Sequence, residues 1–215
     1  MDWSKSKIMN SVGIMTFHFC DNYGAALQCF ALRKVINSFE DYQAEVINFN
    51  PNWKPGWFTE EDIQEKYIDK LKIYKKFQKK YLGVKEPVIY DKEMISKNYD
   101  YYIAGSDQIW NPSFNFFNTA YFLDFAPSEA VKIAYAASIG MPVETAKNYS
   151  DIFKNKIKNL DFIGIREKTH KDFIKGFTEK KVESVLDPTL LLNKEDYEEI
   201  VEKKRMLKNL YFYIF

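Results

Sequence analysis

Val12-Gly13-Ile14-Met15-Thr16-Phe17 is followed by His18-Phe19-Cys20-Asp21-Asn22-Tyr23-Gly24. A run to residue 37 then carries Ala25, Leu27, Leu32, Val35 and Ile36 at helical spacing. The stretch reads as a buried strand, a loop and a helix in succession. A second strand is expected at Ala44-Glu45-Val46-Ile47-Asn48-Phe49, closed by Asn50-Pro51-Asn52 and a loop holding Trp53, Pro55, Gly56 and Trp57. Two strands joined by a helix lie parallel, so the unit points to a parallel α/β sheet.

The same alternation continues along the chain. Residues 60–82 form a long helical stretch with Ile63, Tyr67, Leu71, Tyr74 and Tyr81 on one stripe, ended by Gly83. Strands are expected at 99–104, 131–138, 162–165 and 182–185, and helices at 148–159 and 168–175. A charged helix over 195–206 precedes Leu210-Tyr211-Phe212-Tyr213-Ile214-Phe215, which has the pattern of a buried strand opening a new unit. The expected architecture is a Rossmann-like parallel sheet flanked by helices, with residues 1–205 as one lobe and 206–215 as a linker and first strand of a second. In such sheets ligands sit beyond the carboxyl ends of the strands.

Composition narrows the function classes. The chain has 215 residues, 46% of them hydrophobic, and a formal net charge of +1 from 31 basic and 30 acidic side chains. That is enough apolar material for a core, and no global field draws the protein to nucleic acid. Aromatic residues make up 17%, more than a core usually needs, and rings at a surface suit the C–H faces of sugars. Cys20 and Cys29 form no C-x-x-C pair and no Cys/His cluster, so neither a metal nor a disulfide framework is signalled. The N-terminus resembles neither a signal peptide nor a membrane span, so a cytoplasmic address is expected. Seven lysines from Lys66 to Lys80, interleaved with Tyr67, Tyr74 and Phe77, suit either a solvated helix face or peripheral contact with the inner face of a membrane, and Glu61, Glu65 and Asp69, which interrupt the charge, favour the solvated face.

The strand-end loops hold the candidate chemistry. In the first, Asn22, Tyr23 and Gly24 precede a helix, where free amides and the positive helix end can face a ligand; a capped turn is the plainer reading. The loop is not G-x-G-x-x-G, so no dinucleotide fingerprint is present. Gly105-Ser106-Asp107-Gln108-Ile109-Trp110-Asn111-Pro112 places Ser106, Asp107 and Gln108 in a row after a strand, as sugar hydroxyls require, with Trp110 at the ligand or in the core. Arg166 and Glu167 follow the strand at 162–165, one of only three arginines in the chain; Arg33 and Arg205 read as solvated. His18, on a strand-end loop, is a better proton-transfer candidate than His170, within a charged helix. Asp187-Pro188-Thr189 either lines the cleft or forms the turn, and the turn is preferred.

These blocks resemble the polysaccharide pyruvyltransferase family. The matching stretches are Thr16-Phe17-His18 through Asn22-Tyr23-Gly24-Ala25-Ala26-Leu27-Gln28, Gly105 through Asn111, Tyr121-Phe122-Leu123-Asp124-Phe125, Ile133-Ala134-Tyr135-Ala136-Ala137-Ser138, Arg166-Glu167 and Leu186-Asp187-Pro188-Thr189-Leu190-Leu191-Leu192. The family's Ser-Val-Arg-Glu is Gly164-Ile165-Arg166-Glu167 here, which keeps the charged pair and loses a hydroxyl. The resemblance implies a two-lobed architecture like that of B-type glycosyltransferases. It also implies transfer of pyruvate from phosphoenolpyruvate, without metal or nucleotide, to two hydroxyls of a sugar or lipid-linked oligosaccharide. It places the donor-side histidine and much of the phosphoenolpyruvate pocket in a second lobe or a neighbouring chain. On this lobe it implies Asp107 or His18 as acid or base, and acceptor or anion contacts from Asn22, Tyr23, Gly24, Gly105, Ser106, Gln108, Trp110, Arg166 and Glu167. The rival expectations are a nucleotide-sugar glycosyltransferase of the same build and a non-catalytic carbohydrate-binding lobe.

Overall fold

The computed structural model describes residues 9–51 and 65–201. Six strands form one parallel sheet: β1 (Asn10–Met15), β2 (Tyr42–Val46), β3 (Tyr101–Ala104), β4 (Val131–Ala137), β5 (Phe162–Ile165) and β6 (Val182–Ser184), in the order β2-β1-β3-β4-β5-β6. The chain moves outward from β1 to β2, then returns across β1 to β3. The order therefore reverses between β1 and β3, and the two loops leaving those strands flank the resulting crevice. The expected second-lobe strand and linker, the loop around Trp53 and Trp57, and residues 60–64 of the long helix lie outside the described residues.

Side-chain alternation explains the two layers. Val12 and Ile14 of β1, Ala44 of β2 and Ile103 of β3 pack under Leu32 and Ile36 of helix α1 (Tyr23–Asn37). Met15, Tyr102, Ala104, Ala134, Ile163 and Val182 face the other way, into the larger core with Trp110, Tyr121, Phe122 and Phe153. Helix α2 (Glu65–Phe77) continues as a π-helical turn, Gln78–Leu82, and ends at Gly83, as the sequence pattern expects. It packs on the outer side of α1, where Phe30 meets Phe77 and Tyr81.

Several expected elements change form. The alternation of strand and helix breaks between β3 and β4. Those strands are joined by an irregular stretch whose helical part is a single 3₁₀ turn, Thr119–Phe122, capped by Asn118. Turn-forming Asn111, Pro112, Asn115, Asn118 and Pro127 punctuate the connection too often for a helix to propagate. The helix expected at 148–159 begins earlier and is broken into α3 (Val143–Ala146) and α4 (Ser150–Lys156), with one 3₁₀ turn between them and another after α4. That expected at 168–175 is a 3₁₀ turn followed by α5 (Lys171–Lys175), and only α6 (Lys194–Tyr197) with one 3₁₀ turn is described of the helix at 195–206. Arg33 is not solvated as expected. Its Nε donates to the Ala44 carbonyl at 3.3 Å and its Nη1 to that of Tyr81 at 3.2 Å, tying α1 to β2 and to the end of the π-helical turn.

Candidate functional site

The loop from β1 into α1 is fixed by two polar side chains. Asn22 caps the helix, its Oδ1 accepting from the Ala25 N–H at 3.0 Å. One turn further on, Gln28 is buried, and both ends of its amide are engaged. Nε2 donates to Thr16 Oγ1 at 2.8 Å and to the Ala25 carbonyl at 2.9 Å, while Oε1 accepts from the Ser106 N–H at 3.0 Å. Thr16 in turn donates to the Ser106 carbonyl at 3.0 Å. This network joins the ends of β1 and β3 across the point where the strand order reverses.

The loop after β3 turns sharply. Gly105 has φ 126°, and a Cβ there would lie 2.0 Å from the Tyr135 carbonyl oxygen, so only glycine fits. The Gly105–Ser106 peptide is cis, and Asp107 has φ 78°. Ser106 is wholly buried; its hydroxyl is 3.0 Å from the Ala136 carbonyl and 2.9 Å from Asp187 Oδ2. The Asp107 backbone joins the end of β4, its carbonyl accepting from the Ser138 N–H at 3.0 Å. Its Oδ1 accepts from the Gln108 N–H at 2.7 Å.

Arg166, following β5, is bonded through Nη1 to Asp187 Oδ2 and through Nε to Glu167 Oε1, each at 3.2 Å. Glu167 Oε1 also accepts from the Ser138 hydroxyl at 2.6 Å. Asp187 serves both alternatives left open by the sequence. Its Oδ1 caps the turn Pro188–Leu190 through the Thr189 N–H at 3.0 Å, while its Oδ2 holds Ser106 and Arg166.

These loops border an open cleft of about 280 Å³ lined by Asn22, Gly24, Ala25, Gln28, Asp107, Arg166, Asp187 and Thr189. It lies at the carboxyl ends of β1, β3, β5 and β6. Of the residues singled out from sequence, Asn22, Gly24, Asp107 and Arg166 meet there. Asp187 and Thr189, whose stretch the sequence reads as a turn in preference to cleft lining, join them, as does Gln28, which the sequence reading gives no role. Gln28 is recognisable in retrospect as an amide on the apolar stripe of Ala25, Cys29 and Leu32.

The two cavity aspartates differ. Burial pushes the Asp107 carboxyl above its ordinary value against the opposing pull of the Gln108 N–H and Arg166, and the Asp187 charge adds to the rise. Burial would also raise Asp187, but hydrogen bonds from the Thr189 backbone and hydroxyl, Ser106 and Arg166 outweigh it and hold Asp187 below the usual value. The surroundings thus favour the charged form of Asp187 and disfavour that of Asp107.

Other expected site residues stand apart from the cavity lining. His18 is 1% exposed, with Nδ1 3.2 Å from the Thr16 carbonyl and Nε2 3.1 Å from Asn48 Oδ1. Burial lowers its pKa, so it packs as a neutral ring between the ends of β1 and β2 instead of facing a ligand. Trp110 is 0% exposed, donates to the Tyr121 carbonyl at 3.2 Å and stacks on Phe122 at 5.0 Å, which makes it core. Gln108 bonds to Asn111 at 3.0 Å. Tyr23 is 70% exposed on the rim, its ring 5.4 Å from that of Tyr74. Gly105, Ser106 and Glu167 support the lining from behind.

Comparison with known proteins adds the family. No individual curated protein and no solved structure matches the chain. A sequence model described as polysaccharide pyruvyl transferase matches residues 22–214, a span that contains every residue of the cavity lining. The chain belongs to the polysaccharide pyruvyl transferase family.

Proposed function

We propose that residues 1–205 act as the acceptor-side lobe of a two-lobed enzyme of the B-type glycosyltransferase build, with residues 206–215 leading into the partner lobe. The enzyme moves pyruvate from phosphoenolpyruvate onto two hydroxyls of a sugar as a cyclic ketal. The carrying observation is the charge balance of the cavity. Arg166 already faces Asp187 and Glu167, and Asp107 stands beside them with one carboxylate oxygen engaged by the Gln108 N–H. Such a wall suits a neutral polyol better than a multiply charged phosphate ester. Arg166 in this reading positions Asp187 and Ser106, and the donor's anionic groups are met by residues beyond this lobe.

In the reaction, a proton adds to the methylene carbon of the enol ester and the central carbon becomes oxocarbenium-like. One sugar hydroxyl bonds to that carbon, losing its proton to Asp107, and the carbon–oxygen bond to phosphate breaks. The second hydroxyl closes the ring on the same carbon and its proton goes to the departing phosphate, so diol and phosphoenolpyruvate yield ketal and phosphate. Asp107, whose pKa burial raises, contributes the base that takes the proton of the first hydroxyl. Asn22 and Thr189 orient the acceptor, and Gln28, its amide engaged by Thr16, Ala25 and Ser106, holds the loops that carry the lining.

The test incubates the protein with phosphoenolpyruvate and candidate saccharides and measures phosphate. Acceptor-dependent phosphate release supports the reading. Release of nucleotide from sugar nucleotides without phosphate from phosphoenolpyruvate overturns it in favour of glycosyl transfer. Saccharide binding with neither release points to a carbohydrate-binding lobe.

A further inference from the structure

Helix α2 follows α1 in the same sense. Tyr74 lies beside Tyr23 at the start of α1, Phe77 and Tyr81 beside Phe30, and the Tyr81 carbonyl takes Arg33. The part of α2 before Tyr74 therefore runs past the end of α1 that carries Asn22 and Gly24, the rim of the cavity. From Glu65 to Ile73 that is roughly 13 Å of helix at about 1.5 Å per residue. Gln78 adds a second tie to this end of the sheet, donating to the His18 carbonyl at 2.9 Å.

The side of α2 turned away from α1 is basic. Lys72, Lys75, Lys76, Lys79 and Lys80 are all exposed and recur at spacings of three and four residues, while Tyr74 and Leu82 are buried against α1. Residues 70–85 hold seven lysines and neither Asp nor Glu, in a chain whose net charge is only +1. One apolar side chain stands among them, Ile73, 62% exposed. A nucleic acid or a soluble anionic polysaccharide would use the lysines and leave Ile73 in water. An anionic bilayer uses both, taking lysines at its phosphates and an apolar side chain below them.

We propose that this face of α2 docks on an anionic lipid bilayer. Among the described residues no helix is long and apolar enough to cross a membrane, so the contact is peripheral. Docked there, the overhanging end of α2 brings the cavity rim to the lipid surface, within reach of a sugar carried on a lipid. That consequence rests on reading the cavity as the acceptor site, whereas the docking itself does not.

The experiment sediments the full chain with vesicles of phosphatidylcholine alone or mixed with phosphatidylglycerol, and needs no turnover. The protein is expected to sediment with the anionic vesicles only and to be released as salt rises. Lys75→Gln with Lys79→Gln should weaken the partition roughly twentyfold, since each charge near such a surface is worth about a factor of five. Ile73→Ser should weaken it severalfold while leaving retention on immobilised heparin unchanged. Thermal midpoints matching the parent show that the variants are folded. Failure to sediment with anionic vesicles overturns the proposal. So does sedimentation insensitive to Ile73→Ser and abolished by soluble dextran sulfate, which would mark a site for soluble polyanions. Failure of the acceptor reading appears separately, as absence of saccharide-dependent phosphate release.

Discussion

Asp107 carries the chemistry proposed for the cavity, and its substitution is the sharpest single test. Asp107→Asn keeps the shape and the Oδ1 contact to the Gln108 N–H, so the thermal midpoint should stay close to the parent while turnover falls roughly a hundredfold or more. The ionised form of Asp107 is the base, and burial raises its pKa. The acid limb of kcat/KM should therefore lie above the ordinary carboxylate range, with activity lost as pH falls through it, and that limb should vanish in the variant. Gly140 tests the support behind the site. Its φ is 65°, and a Cβ there would stand 2.1 Å from Gln108 Oε1. Gly140→Ala should cost about 1–2 kcal/mol from backbone strain alone, read by thermal denaturation, with more if Gln108 is displaced from Asn111.

Strands β1, β3, β4 and β5 were legible because each is a short, largely apolar run, whereas β2 and β6 are mixed and were placed by the alternation around them, and the parallel order followed from the helical stretch after β1. The connection from β3 to β4 was not. Trp110, Tyr121 and Phe122 lie too irregularly for either period, and what holds them is ring packing across the chain. Trp110 stacks on Phe122, and Phe153 of α4 meets both edge-on, with Phe173 and Phe177 on its other side. Local sequence carries no trace of contacts between residues 110 and 177, so Trp110 in the core and at a ligand looked alike. His18 misled for a related reason: its loop position was readable, while the Asn48 amide that covers it comes from another strand end. Phe153→Ala removes the hub of that ring cluster, wholly buried in the structure, and should cost about 3–5 kcal/mol in urea denaturation. Because α4 supports the β3–β4 connection, acceptor binding should weaken in the same variant.

The whole chain should lose stability toward acid in two stages. His18 is buried and its pKa lowered from 6.5, so the folded protein binds fewer protons than the unfolded chain once pH drops below that value, and stability falls from there downward. Glu45 acts at lower pH. Hydrogen bonds from Lys97 at 2.5 Å and Lys85 at 3.0 Å, with their charges, outweigh its burial and hold its pKa at about 2. The stability it contributes is present above 4.5 and lost as pH falls from 4.5 toward 2, discounted for its exposure to solvent. Urea midpoints across pH should show both stages, and His18→Gln should flatten the upper one alone.

The placement of β1 between β2 and β3 also sets a timetable. β1 meets β2 as soon as the chain reaches residue 46, but its other edge stays open until β3, whose flanking Asp100 is 89 positions from its partner Ser11. Contacts of such separation form late, because closing so long a loop costs entropy before it returns any contact. The cavity closes later still, when Asp187 reaches Ser106 across 81 positions. On a ribosome the nascent chain therefore carries two of the six strands with the second edge of β1 open until β3 at residues 101–104 is made, and that edge is the one a chaperone would need to shield.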